Sequence, residues 1–157
     1  MTPKEEDFMR QAIRLAADNI ENGGGPFGAV IVKDGRVIAT GVNRVTANHD
    51  PTAHAEVQAI RAAGLELGTF DLTGCDLYSS CEPCPMCLSA IYWAHISRLF
   101  YASSKEDAAA AGFDDAFIYR ELALQPSSRR LTAEAHPSAD AAAVFERWVA
   151  KADKIDY

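Results

Sequence analysis

A chain of 157 residues with net charge −7, 48% apolar and 24% charged, has the make-up of one domain large enough for its own hydrophobic core. No apolar run approaches the ~20 residues of a membrane-spanning helix, and no Lys/Arg block overrides the acidic balance, so membrane and nucleic-acid partners are disfavoured. The opening MTPKEEDFMR is acidic and polar rather than basic and then apolar, and three of the four cysteines crowd together; reduced thiols in the cytoplasm are therefore expected, not a disulfide framework.

Thr2 and Glu5 have capping-box spacing with Pro3 at the first helical position, and Phe8/Met9, Ala12/Ile13, Ala16/Ala17 and Ile20 continue as an apolar stripe. NGGG at 22–25 ends that helix. Two strands, around Ala29–Val32 and Arg36–Ala39, flank Asp34-Gly35, a hairpin signal. A polar loop leads to a second helix from His54, with Val57, Ile60 and Leu65 spaced along it. Residues 75–80 read as a buried strand, Cys84–His95 as a helix and 98–103 as another strand. Residues 105–121 read as helix and loop, 126–137 as an unpatterned connection. Ser138 is placed to cap a last helix carrying Ala142, Phe145, Trp148 and Val149. This order predicts an α/β fold, a three-layer α/β/α sandwich on a mixed sheet of about five strands, with parallel pairing among the later ones. One domain, 1–157, is expected.

The chemistry concentrates in two stretches. His54-Ala55-Glu56 starts one predicted helix, and Pro83-Cys84-Pro85-Met86-Cys87 sits at a strand-to-helix junction. Cys84 and Cys87, three apart, share one face of a first helical turn, where the helix N-terminus favours thiolates. One imidazole and two thiolates leave a tetrahedral zinc one open position, as catalytic sites require. Glu56, two residues beyond His54, is the natural carrier for the proton of a water held there. Two other readings stand beside this one: a redox pair Cys81–Cys84, and a closed structural zinc site with Cys81 as fourth ligand. Cys75 reads as an inert buried thiol.

H-x-E followed by P-C-x-x-C is the signature of zinc-dependent nucleobase deaminases. The chain resembles the cytidine/deoxycytidylate deaminase superfamily over most of residues 5–103. Further stretches, GGPFGAVIVKDG (24–35), DPTAHAEV (50–57), CEPCPMCLSAIYWA (81–94), AGFDDAFIY (111–119) and the terminal Tyr157, resemble its bacterial guanine deaminase branch. That resemblance implies one Zn2+ per subunit on His54, Cys84 and Cys87, with water or hydroxide as fourth ligand. It implies attack at C2 of guanine, with Glu56 as proton shuttle and Asp115 assisting. Phe27, Asn43, Trp93, Asp115 and Tyr157 become the substrate-binding set. It also implies a homodimer in which a C-terminal segment, about 138–157, is exchanged, so that Tyr157 closes the partner's pocket. The competing substrates are tRNA adenosine, cytosine or cytidine, and an aminated triazine; the competing class is a zinc-stabilised, non-catalytic interaction module.

Overall fold

Thr2 opens the first helix, α1 (Pro3–Glu21), with a full capping box: its hydroxyl accepts the Glu5 N–H while the Glu5 carboxylate accepts the Thr2 N–H. Strands β1 (Gly28–Lys33) and β2 (Arg36–Val42) form the expected hairpin, turning through Asp34 and Gly35, whose φ angles of 50° and 70° suit a primed turn that follows the strand twist. The polar loop after β2 contains one short helix, α2 (Val45–Asn48). Then come α3 (Ala55–Leu67), β3 (Cys75–Cys81), α4 (Pro85–Trp93), β4 (Arg98–Ser103) and α5 (Lys105–Ala110).

The structure describes all 157 residues as a computed structural model, and the chain divides into two units, Met1–Ala116 and Phe117–Tyr157. The first unit holds a mixed sheet in the order β2-β1-β3-β4. The β1/β2 and β1/β3 pairs are antiparallel, whereas β3 and β4 run parallel because α4 crosses between them. Helices cover both faces. Alternate strand residues sort the two cores: Ala29, Ile31 and Leu77 face α3 and α4, while Val30, Val32 and Tyr78 face α1. Each large side chain buried this way is worth about 1.5–3 kcal/mol.

The sheet has four strands, not about five. The chain beyond β4 lacks another run of β-branched and aromatic residues; its Ala-rich stretch at 105–110 folds as α5, opened by a Ser104–Asp107 capping box. No helix is long and apolar enough to cross a membrane.

One packing detail overrides the helical pattern. The buried residues of α3 are Ala55, Glu56, Ala59 and Ala63, while Leu65 is 85% exposed. A side chain on Gly41 of β2 would lie 2.2 Å from the Ala55 carbonyl oxygen and 2.4 Å from the Ala59 nitrogen. The helix backbone therefore rests almost on the sheet, and only small residues fit between. This close seat carries the N-terminus of α3, with His54 and Glu56, to the sheet.

The second unit contains α6 (Ala116–Ala123, which starts at the boundary), a 3-10 turn at Pro126–Ser128 and α7 (Ala139–Ala150). Arg129 donates to the Glu121 and Leu124 carbonyl oxygens, closing α6, and the Ser138 hydroxyl accepts the Ala141 N–H at the start of α7.

Candidate active site

Two helix N-termini meet at the site. His54 is the N-cap of α3 and Cys84 the N-cap of α4, which puts Glu56 and Cys87 inside the first turns. Pro85 occupies the first position of α4, where no N–H is required. His54 Nδ1 lies 3.5 Å from Cys84 Sγ and 3.4 Å from Cys87 Sγ, and the three ligand atoms all fall within 4.8 Å of one another. A tetrahedral zinc with ordinary bond lengths would set nitrogen and sulfur about 3.6 Å apart. The donor set and its spacing fit one zinc ion.

The electrostatics are those of a prepared metal site. Hydrogen bonds from Cys87 and His54 pull the Cys84 thiol down to about 4, against the opposing effect of burial. Cys87 is pushed up, first by its hydrogen bond to Cys84 and then by burial, so the two thiols share one negative charge. The Cys84 hydrogen bond raises His54. A divalent cation held between these groups would favour both cysteines as thiolates. Cys81 lies outside the cluster: it ends β3, its Sγ sits 3.6 Å from the Ser104 carbonyl oxygen, and burial pushes its thiol up to about 11.

Glu56 is 6% exposed, and burial raises its carboxyl above the usual carboxylate range; hydrogen bonds from its own backbone, Cys87 and Ser79 oppose that rise. The Ser79 hydroxyl donates to Glu56 Oε1 at 3.2 Å from the middle of the sheet. Sequence reasoning missed Ser79. The signal was there, since Ser79 and Ser80 are a buried polar pair in a strand whose one other polar residue, Asp76, is half-buried.

Asn43 follows directly on β2, 8% exposed, with its N–H donating to the Phe27 carbonyl oxygen at 3.1 Å and its Oδ1 accepting the Val45 N–H at 3.2 Å. The next residue's N–H donates to the Ala53 carbonyl oxygen at 2.9 Å, bringing this corner beside the His54 turn. The Phe27 ring meets Phe113 edge to face, with centroids 4.9 Å apart. Asp115 is half-buried; desolvation and then the Cys84 charge raise its carboxyl. Asp114 is occupied differently, its Oδ1 accepting the Ala116 N–H at 2.8 Å. Trp93 closes α4 at the end opposite the thiols, about 9 Å of helix rise beyond Cys87, and is 65% exposed. Tyr157 ends the second unit, 75% exposed.

Comparison with known proteins extends this geometry. The family described as the cytidine and deoxycytidylate deaminase zinc-binding region matches residues 2–103. The chain is 50% identical over 153 residues to a guanine deaminase of Bacillus subtilis, covering 97% of this chain and 98% of that protein. A solved structure of guanine deaminase from Bacillus subtilis superposes with a TM-score of 0.94 at 50% identity, again covering 97% and 98% of the two chains. A tRNA-specific adenosine deaminase of Agrobacterium fabrum is 48% identical over 96 residues, 61% of this chain and 63% of that protein.

Proposed function

Because the chain belongs to the cytidine and deoxycytidylate deaminase family, we propose that it is a zinc-dependent aminohydrolase converting guanine and water to xanthine and ammonia. The observation that carries this reading is the His54–Cys84–Cys87 cluster beside a buried carboxyl, on a chain that resembles a guanine deaminase almost end to end. The likeness to the tRNA-specific enzyme covers only 61% of the chain, and a net charge of −7 is ill suited to a polyanion.

His54, Cys84 and Cys87 are assigned as ligands of one zinc ion per subunit, with water in the fourth position. Bound there, the metal would lower the pKa of a water in its open position towards about 7. Glu56 takes the attacking water's proton and carries it to the ring nitrogen beside C2, a role that suits a carboxyl raised by burial above the usual carboxylate range. A C–O bond forms at C2 as the ring nitrogen receives that proton; Glu56, again a carboxylate, then takes the new C2 hydroxyl proton and, with Asp115 assisting, passes it to the exocyclic nitrogen as the C–N bond breaks, leaving the C2 carbonyl of xanthine and ammonia. Asn43, its Oδ1 engaged by Val45, keeps its amide hydrogens to donate to the purine edge. Phe27 supplies a flat wall braced by Phe113.

Trp93 and Tyr157 are assigned the remaining walls, completed by the second chain of a homodimer in which the segment from about 138 to 157 is exchanged. The four free thiols suit the reducing cytoplasm, the compartment we assign.

An ammonia-release panel over guanine, cytosine, cytidine, adenosine and aminated triazines tests the substrate: guanine is expected to be the preferred one, and a preference for another base overturns it. Glu56→Gln is expected to keep its zinc and lose about 10²–10⁴-fold in turnover. Wild-type turnover by the zinc-loaded variant removes Glu56 from the reaction.

A further inference from the structure

We propose that Asn19 is a positioning residue for the purine-reading end of the site, its buried amide locking the glycine loop and Asn43 into one frame. The inference rests on the guanine deaminase reading of Asn43 and adds a residue to it from the opposite layer of the fold. Asn19 occupies the last turn of α1, in line with the buried Met9, Ala12 and Ala16, and is 3% exposed. A polar side chain on that face needs partners, and it has two: Nδ2 donates to the Gly25 carbonyl oxygen and to the Asn43 carbonyl oxygen, both at 2.8 Å. The two hydrogens of one planar amide hold both acceptors in a set geometry.

Other contacts make the frame rigid. The Asn19 carbonyl oxygen accepts the N–H groups of Asn22 and Gly24, at 3.1 and 2.9 Å, so the same residue grips the loop twice. A Cβ on Gly24 would lie 2.2 Å from Asn19 Nδ2 and 2.4 Å from the Asn43 carbonyl oxygen, which leaves no room for a side chain there. Asn43 is thereby held at its carbonyl by Asn19, at its N–H by Phe27 and at Oδ1 by Val45. Only its Nδ2 is left to point by consequence. Phe27, two residues beyond Gly25, is carried on the same loop.

The test uses the full-length, zinc-loaded protein. Asn19→Ala is expected to raise KM for guanine about tenfold, the middle of the range for coupled hydrogen-bonded residues, while zinc content stays at the wild-type level. In an Asn43→Ala background the same change is expected to raise KM clearly less than it does in the wild type, because the side chain it positions is gone and only the loop carrying Phe27 is left to shift. Gly24→Ala approaches the contact from the loop side and is expected to raise KM likewise, which keeps the idea testable if Asn19→Ala folds poorly. Unchanged KM in these variants, or an effect that multiplies fully with Asn43→Ala, overturns the proposal. If the wild type releases no ammonia from guanine, the functional reading fails, and amide exchange judges the frame alone. Asn19→Ala is expected to speed exchange at the Asn43 and Val45 N–H groups about tenfold, and unchanged exchange overturns positioning.

Discussion

Cys81, Cys84 and Cys87 are evenly spaced along the chain, yet their chemistry diverges within two turns of backbone. Cys84 caps α4, and hydrogen bonds from Cys87 and His54 pull its thiol down to about 4, whereas burial pushes Cys81, still on the strand, up to about 11. The difference is local solvation and partners, not spacing. Cys84→Ala and Cys87→Ala are each expected to lose the metal, while Cys81→Ala and Cys75→Ala retain one zinc per subunit, as read by metal analysis of the purified proteins. A Cys81→Ala protein without zinc would point to a closed, four-ligand structural site instead. A similar contrast separates Asp114 from Asp115: the first is committed to the α6 backbone, and the second is raised by desolvation and then by the charge of Cys84.

At the scale of elements, several short connections are pinned by carboxylates. Hydrogen bonds from Thr2, Thr52, Thr73 and Ser104 lower Glu5, Asp50, Asp71 and Asp107 respectively. For each, the folded pKa lies below the unfolded one, so the unfolded chain binds the proton more tightly. Their stabilisation is complete above the ordinary carboxylate range and is lost as pH falls through the lowered folded values. The melting temperature is accordingly expected to drop as pH is taken below about 4, and Asp107→Asn should flatten part of that slope. A melting temperature independent of pH in this window would show that the caps contribute nothing. Asp50 belongs to the turn that delivers His54: its carboxylate accepts from the Thr52 backbone and hydroxyl, and the Thr52 carbonyl oxygen accepts the His54 N–H.

At the scale of the molecule, two apolar surfaces are open, one on α7 and one in the first unit. In α7, Phe145 is 74% and Val149 72% exposed, beside Val144 and Trp148. In the first unit, a cavity of about 360 Å³ opens among Ile13, Ile20, Phe27, Ala108 and Phe113, and none of the three metal-ligating residues lines it. A homodimer is expected to appear in light scattering at twice the 17.0 kDa chain mass. Exchange of the C-terminal segment has a sharper signature. Glu56→Gln protein mixed with protein lacking Tyr157 is expected to recover activity, because one hybrid site then receives Glu56 from one chain and Tyr157 from the other. No recovery in mixed dimers of proven composition would exclude the exchange.

What the sequence determined by itself were the features whose partners lie close along the chain. The Thr2–Glu5 box, the Asp34-Gly35 turn and the two helix starts bearing His54-Ala55-Glu56 and Cys84–Cys87 depend on backbone geometry over three or four residues, and they were legible for that reason. The pairing of those two helix starts into one candidate zinc site was legible because H-x-E followed by P-C-x-x-C is the signature of zinc-dependent nucleobase deaminases. Tertiary structure decided that α3 turns alanines inward, that the sheet stops at four strands, and that Ser79 and Asn19 serve Glu56 and Asn43. The strand count follows from the local helix signal after β4, but the other three depend on contacts more than a dozen residues apart, where the closeness of two backbones, as at Gly41, outweighs hydrophobic periodicity.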